Sequence, residues 1–303
     1  MPSWNTILDE IGAQRALGVT ALDIVRRKYL RVLHETTGRN IIAYYSGWLQ
    51  KGNIQNIDIT DLDMNGFMNA VHGLDRTKGL DLFLHTPGGN IAAAESIVDY
   101  LRRMFGLDVR AIIPQLAMSA GTMIACSCKS VLMGKQSSLG PIDPQFGMIS
   151  ARGVKDEFER AITEVKADPA RIPIWQAIIG KYHPTFIAQC ENACRWAEDL
   201  VKAWLEKNMF SGSQDPSQTA ADVTDKLIKF GHEINHGKHL SIDEIRDHVG
   251  LIVEQLENDQ VMQDLILTVH HAYMHTLSNS HAVKIIENHN GAAIIELARI
   301  PSQ

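Results

Sequence analysis

Along the chain, apolar positions switch between helical spacing and short continuous runs of strand length. Over residues 4–35 Leu8, Ile11, Leu17, Leu22, Ile24 and Val25 recur at roughly helical intervals. Arg26, Arg27 and Lys28 fall on the other face, so this stretch predicts a helix. Residues 40–48 (NIIAYYSGW) form a β-branched and aromatic run of strand length. Helical spacing returns from Asp61 to Leu74, and LDLFLH (80–85) predicts a short strand ending in the turn TPGGN. Then come an amphipathic helix over 91–105, a strand over 109–113, an apolar helix over 118–126 that starts in a tight turn, and a strand over 129–133. Strands alternating with helices of this length imply βαβ units and a largely parallel sheet, hence an α/β fold.

After about residue 150 the pattern becomes helical, over 153–167, 185–209, 215–231 and 259–277. SGSQDPSQT (211–219) is the most linker-like segment. Two strands, 283–287 and 292–297, close the chain around Asn290-Gly291, a hairpin turn signal. The expected organisation is an N-terminal helical segment (1–38), a core (39–210), and a helical extension with a C-terminal β-hairpin (211–303).

Composition narrows the function classes. The 303 residues are 45% hydrophobic and 21% charged, an ordinary globular balance. A net charge of -6 and a pI near 6.1 give no electrostatic reason to expect nucleic acid or an anionic membrane as partner. The N-terminus MPSWNTILDEIGAQ lacks the basic and apolar regions of a signal peptide. No apolar stretch approaches the ~18 residues that span a bilayer. A soluble, cytoplasmic protein without membrane insertion is expected. Cys126, Cys128, Cys190 and Cys194 lack the usual zinc-knuckle spacing and predict buried free thiols.

Three segments carry the candidate chemistry. In HTPGGN (85–90), Gly88 and Gly89 leave the backbone bare at the start of a helix, which is what an oxyanion hole needs. In AMSAGTMIA (117–125), Ser119 sits between small residues where an apolar helix begins. There the Ala120 N–H and the helix dipole would serve a developing oxyanion. A helix N-cap is the plain alternative for this serine. SSLGPIDPQFG (137–147) builds a rigid loop suited to a cleft wall, and Asp143 in it reads first as a turn residue.

Together these segments resemble the Clp protease proteolytic subunit and signal peptide peptidase A, and more closely the serine dehydrogenase proteinase family. The resemblance rests on LHTPGGNIAAAESI, AMSAGTMIA and LGPIDPQ, and extends to HHAYMHTLSNSHAVKIIENHNG (270–291). It implies a Clp/crotonase-like fold with a repeated ββα core, a mostly parallel sheet and a helical C-terminal portion. It also implies a serine peptidase acting on peptides or proteins, Ser119 as nucleophile, and a homo-oligomer. The Clp subunit's base is a histidine that would fall near Ser137–Leu139, where none is present. The signal peptide peptidase relatives use a lysine, and Lys181 is the first candidate, before Lys166, Lys155 and His183. No dinucleotide fingerprint is present, and no cofactor is expected. Three rival readings accompany this one. HEINH (232–236) matches a zinc-peptidase motif, Glu95 or Asp143 could serve a crotonase-type acyl-CoA enzyme, and the fold could persist as an inactive assembly protein.

Overall fold

The computed structural model describes residues 4–298 apart from 15, 17, 19, 53, 55, 148 and 234–236, with only the backbone of 230–233. Two helices open the chain, α1 (Trp4–Ala13) and α2 (Thr20–Thr37). The single helix predicted over 4–35 is broken at Gly18, whose φ of 62° is left-handed and incompatible with helix continuation. There follow β1 (Asn40–Ser46), α3 (Asp63–Val71), β2 (Leu80–His85), α4 (Ile91–Phe105), β3 (Val109–Ile113), β4 (Leu116–Ala117), α5 (Ala120–Cys126) and β5 (Ser130–Met133). The short strands β6 (Ser138–Leu139), β7 (Gln145–Phe146) and β8 (Ile149–Ser150) lead into α6 (Ala151–Ala167), α7 (Ile172–Ile179), α8 (Phe186–Lys207) and α9 (Pro216–Glu233). The chain closes with β9 (Leu240–Ser241), β10 (Val253–Gln255), α10 (Gln260–Asn279), β11 (Ala282–Asn288) and β12 (Ala293–Leu297).

The main sheet has seven strands in the order β10-β5-β3-β2-β1-β11-β12. From β10 to β1 every pairing is parallel, and the β11–β12 hairpin adds two antiparallel strands beside β1. The inner strands are buried on both faces, as a parallel sheet between helical layers requires. Ile42, Tyr44, Leu82 and Leu84 point into one core, with α3, α4, α5, α8 and α9. Ile41, Ala43, Tyr45 and Phe83 point into the other, with α2 and α10. This alternation gives a three-layer α/β architecture. The segments before and after residue 211 share one sheet and one core: β10 and β11 join strands from 40–133, and Val223, Leu227 and Ile245 pack into the first cluster.

Three ionic hubs tie the layers. Glu287 is fully buried and accepts from Arg26 Nε and Nη2, Arg27 Nε (2.7 Å) and Tyr273 OH (3.0 Å), joining α2, α10 and β11. Asp81 on β2 is held by Arg39 and Arg110, each at 2.7 Å. Asp63, at the start of α3, pairs with Lys284 of β11 at 2.7 Å, both side chains being buried. All four cysteines are buried and unbridged. Among the described residues no helix is long and apolar enough to cross a membrane.

Candidate active site

The candidate site forms where two loops leave the carboxyl ends of neighbouring strands. After β2, Thr86 pairs with β4: Thr86 N–H donates to Leu116 O (3.1 Å) and Met118 N–H to Thr86 O (3.0 Å). That short parallel pairing sets Thr86-Pro87-Gly88-Gly89 against Met118-Ser119-Ala120. The approach is close enough to require glycine. A Cβ on Gly88 would lie 2.7 Å from both Met118 O and Ser119 Cβ. The third loop is tied to the second through Thr122, whose hydroxyl donates to Ala117 O (2.8 Å) and accepts from Gly140 N–H (2.9 Å).

Ser119 has φ 51° and ψ -116°. Only one other non-glycine residue among those described, Asn56, has a positive φ. An L-residue held there is strained by ~1–3 kcal/mol and persists only where its surroundings over-determine it. Ser119 stands at the N-cap position of α5, yet its side chain makes no capping bond. The hydroxyl is therefore not used as a helix cap. The half-buried serine lines a cleft of about 880 Å³.

Two free donors sit in the same cradle. Ala120 is the first residue of α5, so its N–H has no intrahelical acceptor. On the other loop, Ile59 N–H donates to Gly88 O (2.7 Å) and Asn90 N–H to Ile59 O (2.9 Å), a parallel bridge that leaves the Gly89 N–H without a hydrogen bond among the described residues. Gly88 differs: its N–H is taken by Thr86 Oγ1 at 3.2 Å, and its part is close packing. Asn90 then caps α4, accepting from Ala92 and Ala93 N–H.

The profile of the ClpP-like SDH-type serine proteinase family matches residues 15–179, more than half of the chain. The chain belongs to that family. Its strained serine and bare glycines lie inside the matched region. Two uncharacterized proteins of Methanocaldococcus jannaschii are similar to it, one 35% identical over 112 residues, the other 33% over 102. These matches cover 37% and 34% of this chain, and 37% and 35% of those relatives, so the chain spans only about a third of their length. Two solved structures of the 1510-N membrane-bound stomatin-specific protease also overlap it. One is a lysine-to-alanine variant in complex with a substrate peptide, with TM-score 0.38 and 16% identity over 68% of this chain and 74% of that one. The other is a serine-to-alanine variant, with TM-score 0.36 and 15% identity over 65% and 75%.

The base candidates lie on or beside the helical layer of this family member. Lys155, on α6, is half-buried near Cys194 of α8. Lys166 and Lys181 are exposed, and exposed His183 bonds Thr185 Oγ1 at 3.0 Å. Among the described residues lining the cleft there is neither lysine nor histidine. Asp143 is buried and accepts from Gln145 Nε2 (2.8 Å) and Ser150 Oγ (3.2 Å), the bonding of a turn acid. Neither Asp143 nor Glu95 lines the cleft. The HEINH motif ends at residues 234–236, outside those described.

Sequence reasoning did not find the residues 58–60, Met123 and Trp196, all of which line the cleft. The alternation Ile57-Asp58-Ile59 is too short to signal a pairing segment, and Trp196 lies within a helix that reads as packing. Nor did it find His85, buried directly before the Gly-rich turn against Trp48, Tyr45 and His270. Burial pushes its imidazolium pKa down to about 3, the Leu116 backbone opposing only in part.

Proposed function

We propose that the protein is a serine peptidase in which Ser119 attacks the scissile carbonyl and the N–H groups of Gly89 and Ala120 hold the oxyanion. The observation that carries this reading is the uncapped Ser119 at φ 51° beside two backbone donors that no other described residue uses. Donors fixed in advance of the reaction need no reorganisation when charge develops, and one such donor is worth about 10²–10³ in rate. A peptide would lie extended in the cleft between the 58–60 segment and the loop at Gln145–Phe146. Ser119 loses its proton to the base as the tetrahedral intermediate forms. The base then gives that proton to the leaving amine, and water repeats the sequence on the acyl-enzyme.

A lysine is the proposed base. It must be neutral to act, and desolvation is what depresses a lysine pKa. Lys155, Lys166 and Lys181 all lie outside the cleft lining, so bound substrate or another copy would have to bring the base to Ser119 and enclose it. A homo-oligomer is part of this reading. The groove between α6 and α7 leaves Ile162 56% and Ile172 39% exposed, a surface suited to a subunit contact.

Intact-mass analysis after treatment with a fluorophosphonate tests the reading. One adduct on the wild type and none on Ser119→Ala is the expected result. Among Lys155→Ala, Lys166→Ala and Lys181→Ala, the variant that loses the base is expected to label most slowly. A wild type that takes no adduct, alone or with a protein substrate present, would sink the proposal.

A further inference from the structure

The C-terminal hairpin lies outside the residues that the family profile matches, yet a buried cation on β11 reaches the wall of the cleft. Lys284 is 1% exposed. Its Nζ donates to Asp63 Oδ1 and to the Asp58 carbonyl, each at 2.7 Å. Asp63 is as deeply buried, and its Oδ2 accepts from Tyr44 OH (2.9 Å) and from Thr60 N–H (3.0 Å). The pair thus grips residues 58 and 60, the two neighbours of Ile59. Ile59 in turn makes both backbone bonds to Gly88 and Asn90. It also touches Gly89 so closely that a Cβ there would lie 2.4 Å from Ile59 N.

We infer that the Lys284–Asp63 pair positions the Gly89 N–H: it fixes residues 58–60, and these fix the glycine turn. An apolar pair of similar volume would fill the space at no greater cost, because burying two charges is expensive. What the ions add is direction. An ammonium reaches a backbone carbonyl, and a carboxylate reaches a backbone N–H, so both flanks of Ile59 are held in register with β11. Lys284 is a positioning residue rather than a base, since its ammonium is committed to a carboxylate and a carbonyl. The catalytic half of this inference rests on the reading of Ser119 as nucleophile.

Hydrogen exchange on the full-length Lys284→Met variant separates the two halves. Protection over 57–60 and over 86–91 is expected to fall together by about tenfold, with β5 unchanged as the internal control. Fluorophosphonate labelling of Ser119 should slow by about tenfold, since a small misplacement of a catalytic group carries that order of cost. Lys284→Arg should recover part of both losses. Loosening confined to 57–60, or labelling at the wild-type rate in a variant whose parent labels, overturns the inference. If the wild type takes no probe, the Ser119 reading fails and the exchange pattern alone decides the coupling. Should Lys284→Met not fold, Tyr44→Phe removes a single bond to Asp63, and the same two segments must loosen in parallel.

Discussion

Ser119 combines a disfavoured backbone with a hydroxyl that caps no helix, and the two belong together. The Thr86–β4 pairing on one side and the start of α5 on the other leave the residue no relaxed conformation that keeps both loops closed. Strain of this kind is released by glycine and not by alanine. Ser119→Gly is therefore expected to be more stable to urea than Ser119→Ala, by about 1 kcal/mol, although both lack the hydroxyl. Equal midpoints would mean that the backbone at 119 is not strained in solution.

At the scale of elements, much was legible before any coordinates. β2, α4 and β3 have the bounds that the pattern predicts, because each is a clean apolar period flanked by glycine or a polar turn. Others depended on contacts that leave no local signature. β10 is three residues long and becomes a strand only by pairing with β5. The seat of Gly89 depends on residues 58–60 and on Lys284, more than two hundred positions apart in sequence. Motif reading picked out a serine and glycines that the fold brings into one cleft, because close approach and helix starts demand particular residue types. It offered several base candidates and chose none by contact, because a lysine would acquire that role from its surroundings. The element most dependent on distant partners is β11, whose Glu287 serves Arg26, Arg27 and Tyr273 at once. Arg26→Met leaves that carboxylate buried with its main partner gone. The expected loss is about 3–5 kcal/mol in urea unfolding, and Glu287→Gln should lose less.

For the whole molecule, the buried imidazoles are expected to weaken the fold in acid. Burial pushes His85 down to about 3 and His270 well below its ordinary value; burial and the neighbouring His34 push His289 to about 4. The unfolded chain takes up protons at these positions as the pH falls through about 6.5, whereas the folded protein does not until far lower. The depressed pKa values therefore favour unfolding progressively between those limits, by about 1.4 kcal/mol per pH unit for each histidine. Urea midpoints should fall from pH 7 to pH 5, and His85→Phe, which keeps the ring against Trp48, should flatten that slope. An unchanged slope would assign the acid response to other groups.

The seating of β11 against β1, with Arg26 meeting Glu287 across 261 residues of chain, bears on how the protein is made. A ribosome delivers the serine elbow and the glycine turn long before the strand that anchors them. Until the last hairpin docks, β1 has an open edge, and residues 58–60 have no ammonium to hold them. Contacts of such long range form late. The β11–β12 hairpin would then decide when the cradle around Ser119 takes its final shape.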